Sequence, residues 1–484
     1  MKTYVAVDIG ASSGRLILAT QQDGKLQLEE VHRFKNGFAN EDGHDRWQID
    51  QILKEIFTGL EKIKKRGIEH VNLGIDTWAV DYVLIDEDGH KLHDPISYRD
   101  KRTDHAIEDL CATVSKETIY EKTGIQFLDF NTLYQLYRED ASDLKRADRI
   151  MMIPDYIGYV LTGNAVTEVT NASTTQMLNL RHGLFDQDLM AKVDVEESQF
   201  PELVEAGTQL GSVRRKWHKQ YDLPQTDVIT VATHDTASAV IGTPAKGDNW
   251  AFLSSGTWSL LGAELNTPEN GPLAYQENYT NEWGAYGTYR FLKNIMGMWI
   301  VQSLKHNYDD KYSFPELAAM AAEAKPFALF IDVNDDRFAN PDNMLEELLA
   351  YAKETGQYVP QTPGEVVRAV YDNLALYYAS AIHKLAKIIS KPITTLNIVG
   401  GGSNIALLNQ LTADLAGVTV IAGPSEATAI GNIIVQMIAT GAVKDVVAGR
   451  QLIADSFDLK TYKPTQDAYA GILERYEAFM QAKG

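Results

Sequence analysis

Two hydrophobic periods run through this chain. The run YVAVDI is apolar and β-branched up to Gly10, and after the tetrapeptide ASSG the segment RLILA reads as a returning strand, which predicts a hairpin at residues 5–18. Further strand-like runs fall at residues 71–75 and 80–85, the second closing on Asp88-Gly89, a dipeptide suited to tight turns. Ile52, Ile56, Leu60 and Ile63 recur at helical spacing within residues 51–65, and residues 132–138 begin a second apolar stripe. Strands alternating with helices in this way predict an α/β fold.

The pattern breaks near residues 241–249, where GTPAKGD brings turn formers together, and resumes in AFLSSGTWSLLGAEL as strand, tight turn, strand. This second hairpin, at residues 252–265, repeats the plan of the first: a strand, a turn of glycine and hydroxyl residues, and a return. The repetition suggests two similar domains, 1–243 and 250–484. A length of 484 residues, too long for one ordinary core, agrees.

Composition narrows the class. Hydrophobic residues at 44% and charged residues at 23% are globular proportions, and neither a bilayer-spanning run nor a secretory leader is expected. Cys111 is the single cysteine, so no internal disulfide or cysteine metal cluster can form, which fits a reducing cytoplasmic setting. A formal charge of −21 without a Lys/Arg stripe argues against a nucleic-acid partner. It leaves nucleotide binding open, because backbone amides and one or two basic side chains hold a phosphate locally.

Five constellations could carry chemistry. In Asp8-Ile9-Gly10-Ala11-Ser12-Ser13-Gly14-Arg15, glycines admit backbone amides to a phosphate, the serines add hydroxyl donors, Arg15 adds charge, and Asp8 could hold magnesium through water; an ordinary turn satisfying its own amides is the alternative. Ser254-Ser255-Gly256-Thr257-Trp258 offers a matching turn from the second half. In LNIVGGGSNIALLNQL, an apolar strand enters three glycines and a helix carrying Leu407, Leu408, Leu411 and Leu415, with Ser403 expected as its cap. It has neither the spacing of a dinucleotide fingerprint nor a P-loop lysine. Thr233-His234-Asp235-Thr236 follows the strand VITVA; Asp235 either caps the next helix or serves as general base to an attacking hydroxyl. Finally, Trp78 and Asp81 in DTWAVD could present an aromatic platform and a carboxylate to a polyhydroxylated ligand, or simply pack a turn. The other histidines show no metal-ligand spacing, and residues 332–336 read as a turn before a capped helix rather than a metal loop.

Taken in order, the DIG turn, SSGT, and GGG followed by LLNQLTADLAG resemble the FGGY carbohydrate kinases, and GASSGR, GIDTWAVDYVL, YRDKRT, GIQFLDFNTLYQL, TNASTTQ, THDTASAV, SSGTWSL, LKNIMGMWIVQ and NDDRF resemble its members acting on L-rhamnulose. The resemblance spans nearly the whole chain. It implies two actin-like, ribonuclease H-like domains closing on a cleft, and phosphoryl transfer from ATP, with Mg2+, to the 1-hydroxyl of L-rhamnulose in rhamnose catabolism. It further implies nucleotide contacts at Ala11, Ser12, Ser13, Gly14, Arg15, Thr257, Gln302 and Gly401. Sugar contacts are implied at Ala79, His234, Asp235, Thr236 and Asn294, with Asp235 the proton acceptor. A monomer or small homo-oligomer binding only small molecules is expected, with no membrane partner. Kinases of L-fuculose, L-ribulose, xylulose or glycerol stay open as alternatives, as does a non-catalytic sugar sensor or filament-forming ATPase. Where the family pattern has glycine this chain has Ala79; were that backbone left-handed, the methyl group would cost about 1 kcal/mol.

Overall fold

The computed structural model describes residues 2–465 and 467–483. Its contacts divide the chain into two compact units. The first comprises Met1–Gly242, Glu264–Phe291 and Ala427–Ser456, the second Thr243–Ala263, Leu292–Glu426 and Phe457–Gly484. Two segments of the C-terminal half therefore belong to the first unit, a redistribution that a linear division at 243 and 250 does not contain.

In the first unit the expected hairpin forms from Tyr4–Ile9 and Ser13–Gln22. Tyr4–Ile9 also pairs in parallel with His70–Thr77, which pairs in parallel with Gln225–Thr230, and Thr208–Ser212 closes that side antiparallel. Every residue of Tyr4–Ile9 is buried, as a central strand covered on both faces requires. Helix Ile49–Lys65 lays Ile52, Ile56, Leu60 and Ile63 on the core with Val5, Val7, Leu16 and Leu73, the predicted stripe extended by two residues at its start.

The second unit repeats this order. Trp250–Ser255 and Trp258–Leu265 form the second hairpin; its first strand pairs in parallel with Thr395–Val399, that strand in parallel with Thr419–Ala422, and Lys460–Tyr462 closes the side antiparallel. A hairpin, two parallel neighbours and an antiparallel edge thus occur twice, which is the duplication suggested by the two hairpins.

Two local expectations are corrected. The strand expected over residues 80–85 begins only at Tyr82, because Val80 is left-handed at φ 68° and breaks the pleat. Ser403 does not cap helix Ala406–Ala416; its hydroxyl donates to Gly400 O at 2.7 Å within the glycine turn, and Ile405 holds the cap position. Residues 332–336 do form a turn, followed by helix Met344–Glu354 with Asn343 accepting from Glu346 N.

Candidate functional site

The first turn lies between the hairpin strands. Gly10 N donates to Ser13 O at 2.9 Å, and Asn36 braces the loop by donating its Nδ2 to Gly10 O and its N to Ser12 O. Ser12 is exposed, while Ala11, Ser13 and Arg15 are partly so. Gly14 is required by packing: a Cβ there would lie 2.2 Å from the Phe34 ring. Asp8 Oδ2 accepts from Arg15 NH2 at 2.9 Å and Nε at 3.2 Å, so the two residues singled out for metal and phosphate charge face one another.

His234 and Asp235 follow the strand Gln225–Thr230 at the mouth of the parallel pair, where Thr77 N donates to Thr233 O at 2.9 Å. Asp235 opens helix Asp235–Ile241, but the cap position belongs to His234 and no side chain caps it. That removes the helix-cap reading. Its side chain is 35% exposed, and Oδ1 accepts from Thr236 Oγ1 at 3.1 Å and lies 3.4 Å from His234 Nε2. Both of these contacts fall on Oδ1, and with the side chain one-third exposed Oδ2 is the oxygen a ligand can reach. Desolvation by the surrounding protein raises its pKa against the opposing pull of His234, and the negative charge of Asp8 adds to the rise. Thr236 is buried, its hydroxyl engaged by Asp235 rather than open to a ligand.

Ala79 is not left-handed, so its methyl group carries no strain; the left-handed residue is its neighbour Val80. Val80 O accepts from Thr132 Oγ1 at 2.6 Å and Gln135 Nε2 at 3.3 Å, contacts that hold the unusual turn. Asp81 is 1% exposed and saturated: Oδ2 accepts from Trp47 Nε1, Trp78 Nε1 and Tyr98 N, and Oδ1 from Gln135 Nε2. Burial pushes its pKa up to about 6. Asp81 therefore organises the Trp78 loop from within and presents no carboxylate to a ligand.

In the second unit, Thr257, Gln302 and Gly401 gather around one turn. Thr257 Oγ1 donates to Gln302 Oε1 at 3.4 Å, and the carbonyls of Gly256 and Thr257 accept from Met298 N and Trp299 N at the start of helix Trp299–Asn307. The three glycines after Thr395–Val399 then divide by role. Gly400 is left-handed at φ 81°, and a Cβ on Gly400 or Gly402 would lie 2.8 Å from Ser255 O or 2.0 Å from Ser255 Oγ. Gly401 is exposed, with only Ser255 O at 4.0 Å, so its backbone is the open one. Asn294 stands half-buried on the strand Tyr289–Met296.

Several residues of the site carried no sequence signal. His234 Nδ1 lies 3.3 Å from Glu282 Oε2, and the same oxygen lies 2.8 Å from NH1 of the wholly buried Arg290. Glu168 accepts from Thr233 N at 3.0 Å and Thr233 Oγ1 at 2.8 Å, fixing the backbone just before His234. Glu168 and Glu282 are separated from His234 by tens of residues and sit in segments with no motif.

The chain also resembles known proteins throughout. It superposes on a ligand-bound xylulose kinase from Lactobacillus acidophilus with a TM-score of 0.82 at 18% identity, covering 100% of this chain and 98% of the other. A glycerol kinase of Plasmodium falciparum with ADP gives 0.81 at 15% identity, with 100% and 98% covered. The fold is therefore the two-domain α/β fold of sugar kinases. The N-terminal domain of the FGGY family of carbohydrate kinases matches residues 3–242 and its C-terminal domain residues 251–440, and the chain belongs to that family. It is 65% identical to the rhamnulokinase of Lactiplantibacillus plantarum (100% of this chain, 99% of the relative) and 53% identical to that of Bacillus subtilis (98% of each).

Proposed function

We propose that this chain transfers the γ-phosphoryl group of ATP to the 1-hydroxyl of L-rhamnulose, giving L-rhamnulose 1-phosphate and ADP. The observation that carries the mechanism is Asp235, with one oxygen held by its neighbours and the other open. The sugar oxygen attacks the γ-phosphorus, its proton passes to Asp235 Oδ2, and the bond to the β,γ-bridging oxygen breaks to release ADP. A raised carboxylate pKa brings the base closer to the operating pH. Identity of 65% over the full length with a rhamnulokinase supports L-rhamnulose as the sugar.

Ala11, Ser12, Ser13 and Gly14 are the phosphate turn on this reading, and Arg15 turns to the phosphates when they are bound. Thr257, Gln302 and the open backbone of Gly401 hold the rest of the nucleotide. Ala79, His234 and Asn294 line the sugar, and Thr236 acts by holding Asp235. Magnesium arriving with ATP neutralises phosphate charge. Among the described residues Asp8 belongs to no group of three metal-ligand atoms, and a single carboxylate acting through water suits an ion that keeps most of its waters and phosphate ligands. No described helix is long and apolar enough to cross a membrane.

Replacing Asp235 by Asn tests the mechanism. Turnover falls by roughly 10²- to 10⁴-fold while ATP affinity changes little. A variant turning over near the wild-type rate removes Asp235 from the chemistry.

A further inference from the structure

We propose that Glu282, locked by the buried Arg290, is a positioning residue that sets the His234 ring and, through it, the orientation of the Asp235 carboxylate. This rests on the reading of Asp235 as the base.

Arg290 is 0% exposed, and a buried guanidinium is tolerated only when it is paired and hydrogen-bonded. Its NH1 lies 2.8 Å from Glu282 Oε2, Nε donates to Trp283 O at 3.2 Å, and NH2 donates to Thr170 O at 3.3 Å. Burial opposes ionisation of Glu282, yet the charge of Arg290 and the contact with His234 hold it below the usual carboxylate range. An ionised carboxylate only accepts, so each ring nitrogen that faces one carries a proton, Nδ1 toward Glu282 and Nε2 toward Asp235. Among the described residues neither Nδ1 nor Glu282 Oε2 has an aligned hydrogen bond, so the two meet as an ion contact.

The backbone of His234 is fixed as well, its N donating to Thr170 Oγ1 at 3.3 Å. The ring therefore spans two carboxylates, Glu282 at Nδ1 and Asp235 Oδ1 at Nε2, 3.3 Å and 3.4 Å away. With Thr236 on the same Oδ1, rotation of Asp235 is checked and Oδ2 is left for the sugar hydroxyl. A sugar hydroxyl on Oδ2 tightens both contacts.

A Gln at position 282 would satisfy Arg290 with its carbonyl and turn its amide toward Nδ1, so that Nδ1 gives up its proton and the ring keeps the one on Nε2. The test uses the whole protein, E282Q beside wild type, with 15N-histidine spectra in which the His234 signals are identified by their loss in H234N. Wild type shows Nδ1 protonated; E282Q shows the proton on Nε2, with kcat for L-rhamnulose lowered by roughly 10- to 100-fold and the KM for ATP little changed. A purely structural ion pair would lower thermal stability and leave the tautomer and kcat alone, and that result overturns the proposal. Should E282Q not fold, the wild-type spectrum decides: a ring whose only proton is on Nε2 overturns the proposal, and a ring protonated at Nδ1, with or without Nε2, upholds it. Failure of the underlying reading looks different. It is seen as a D235N variant that turns over normally, or as wild type lacking sugar-dependent ADP release, with the Nδ1 proton of His234 still lost in E282Q.

Discussion

Asn432 donates its Nδ2 to Asp76 Oδ2 at 2.6 Å, tying the strand His70–Thr77 to a helix 356 residues further along the chain. Asp76 is wholly buried. Burial, with the charge of Asp8, its partner in the parallel register, adding to it, holds its pKa well above the usual range against the pull of the Asn432 hydrogen bond. The same helix, Ala427–Ala439, reaches the first strand through Gln436, whose Nε2 donates to Val5 O at 2.9 Å and Asn432 Oδ1 at 2.7 Å. A segment near the C-terminus is thus part of the core that carries Asp8 and Asp235.

Gly431 is the contact point of that helix with the one bearing Asp235. A Cβ on it would lie 1.7 Å from Ser238 O, and one on Gly242 would lie 1.9 Å from Ala427 O. Backbone on both sides leaves nothing flexible to yield. G431A is expected to cost about 1–3 kcal/mol or more in urea denaturation and to lower kcat by displacing Asp235. Wild-type stability together with wild-type turnover would contradict this packing.

Both hairpins and the acid at the end of VITVA were legible because each is local: β-branched runs, glycine and hydroxyl turns, and an Asp at a strand end are written in consecutive residues. Glu282, Arg290 and Asn432 were not legible, since their partners His234, Glu282 and Asp76 are set by tertiary packing and each looks like an ordinary polar residue in its own segment. Asp81 was misleading for a related reason. Its motif resembles a ligand site, but donors from Trp47, Tyr98 and Gln135, far apart in sequence, enclose it. Ser403 was read as a cap from its place before an apolar helix; the left-handed Gly400 turns the chain so that its hydroxyl reaches back instead.

Ala79 lies outside the left-handed region, so A79G relieves no strain and adds freedom to the unfolded chain. Stability is expected to fall by roughly 0.4–1 kcal/mol in urea denaturation. A stability gain of about 1 kcal/mol would instead place strain at position 79.

D81N keeps one acceptor oxygen and turns an amide donor toward groups that themselves donate. A loss of roughly 1–3 kcal/mol at pH 4 is expected. The pKa of Asp81 rises from 3.8 to about 6 on folding, so its favourable contribution is complete below pH 4 and is lost as pH climbs through about 6, by about 3 kcal/mol. The gap between wild type and D81N therefore narrows from pH 4 to pH 7 in denaturation series. A gap that widens would mean that the ionised form is the one this pocket favours.

The acid limb of kcat/KM should report Asp235 in the free enzyme. Burial raises that pKa and Asp8 adds to the rise, while His234 lowers it, so activity falls as pH drops through a value above the ordinary 3.8. Replacing His234 by Asn removes the lowering influence, and the limb moves to higher pH. A limb that stays in place or moves down would dissociate His234 from the base.

The most direct test of the central claim is sugar-dependent ADP release by the purified protein with Mg-ATP, comparing no sugar, L-rhamnulose, L-fuculose, L-ribulose, D-xylulose and glycerol. The account predicts release with L-rhamnulose at the highest kcat/KM, lowered by roughly 10²- to 10⁴-fold in D235N. Preference for another sugar would contradict the substrate assignment, and no stimulation by any of them would contradict kinase activity altogether.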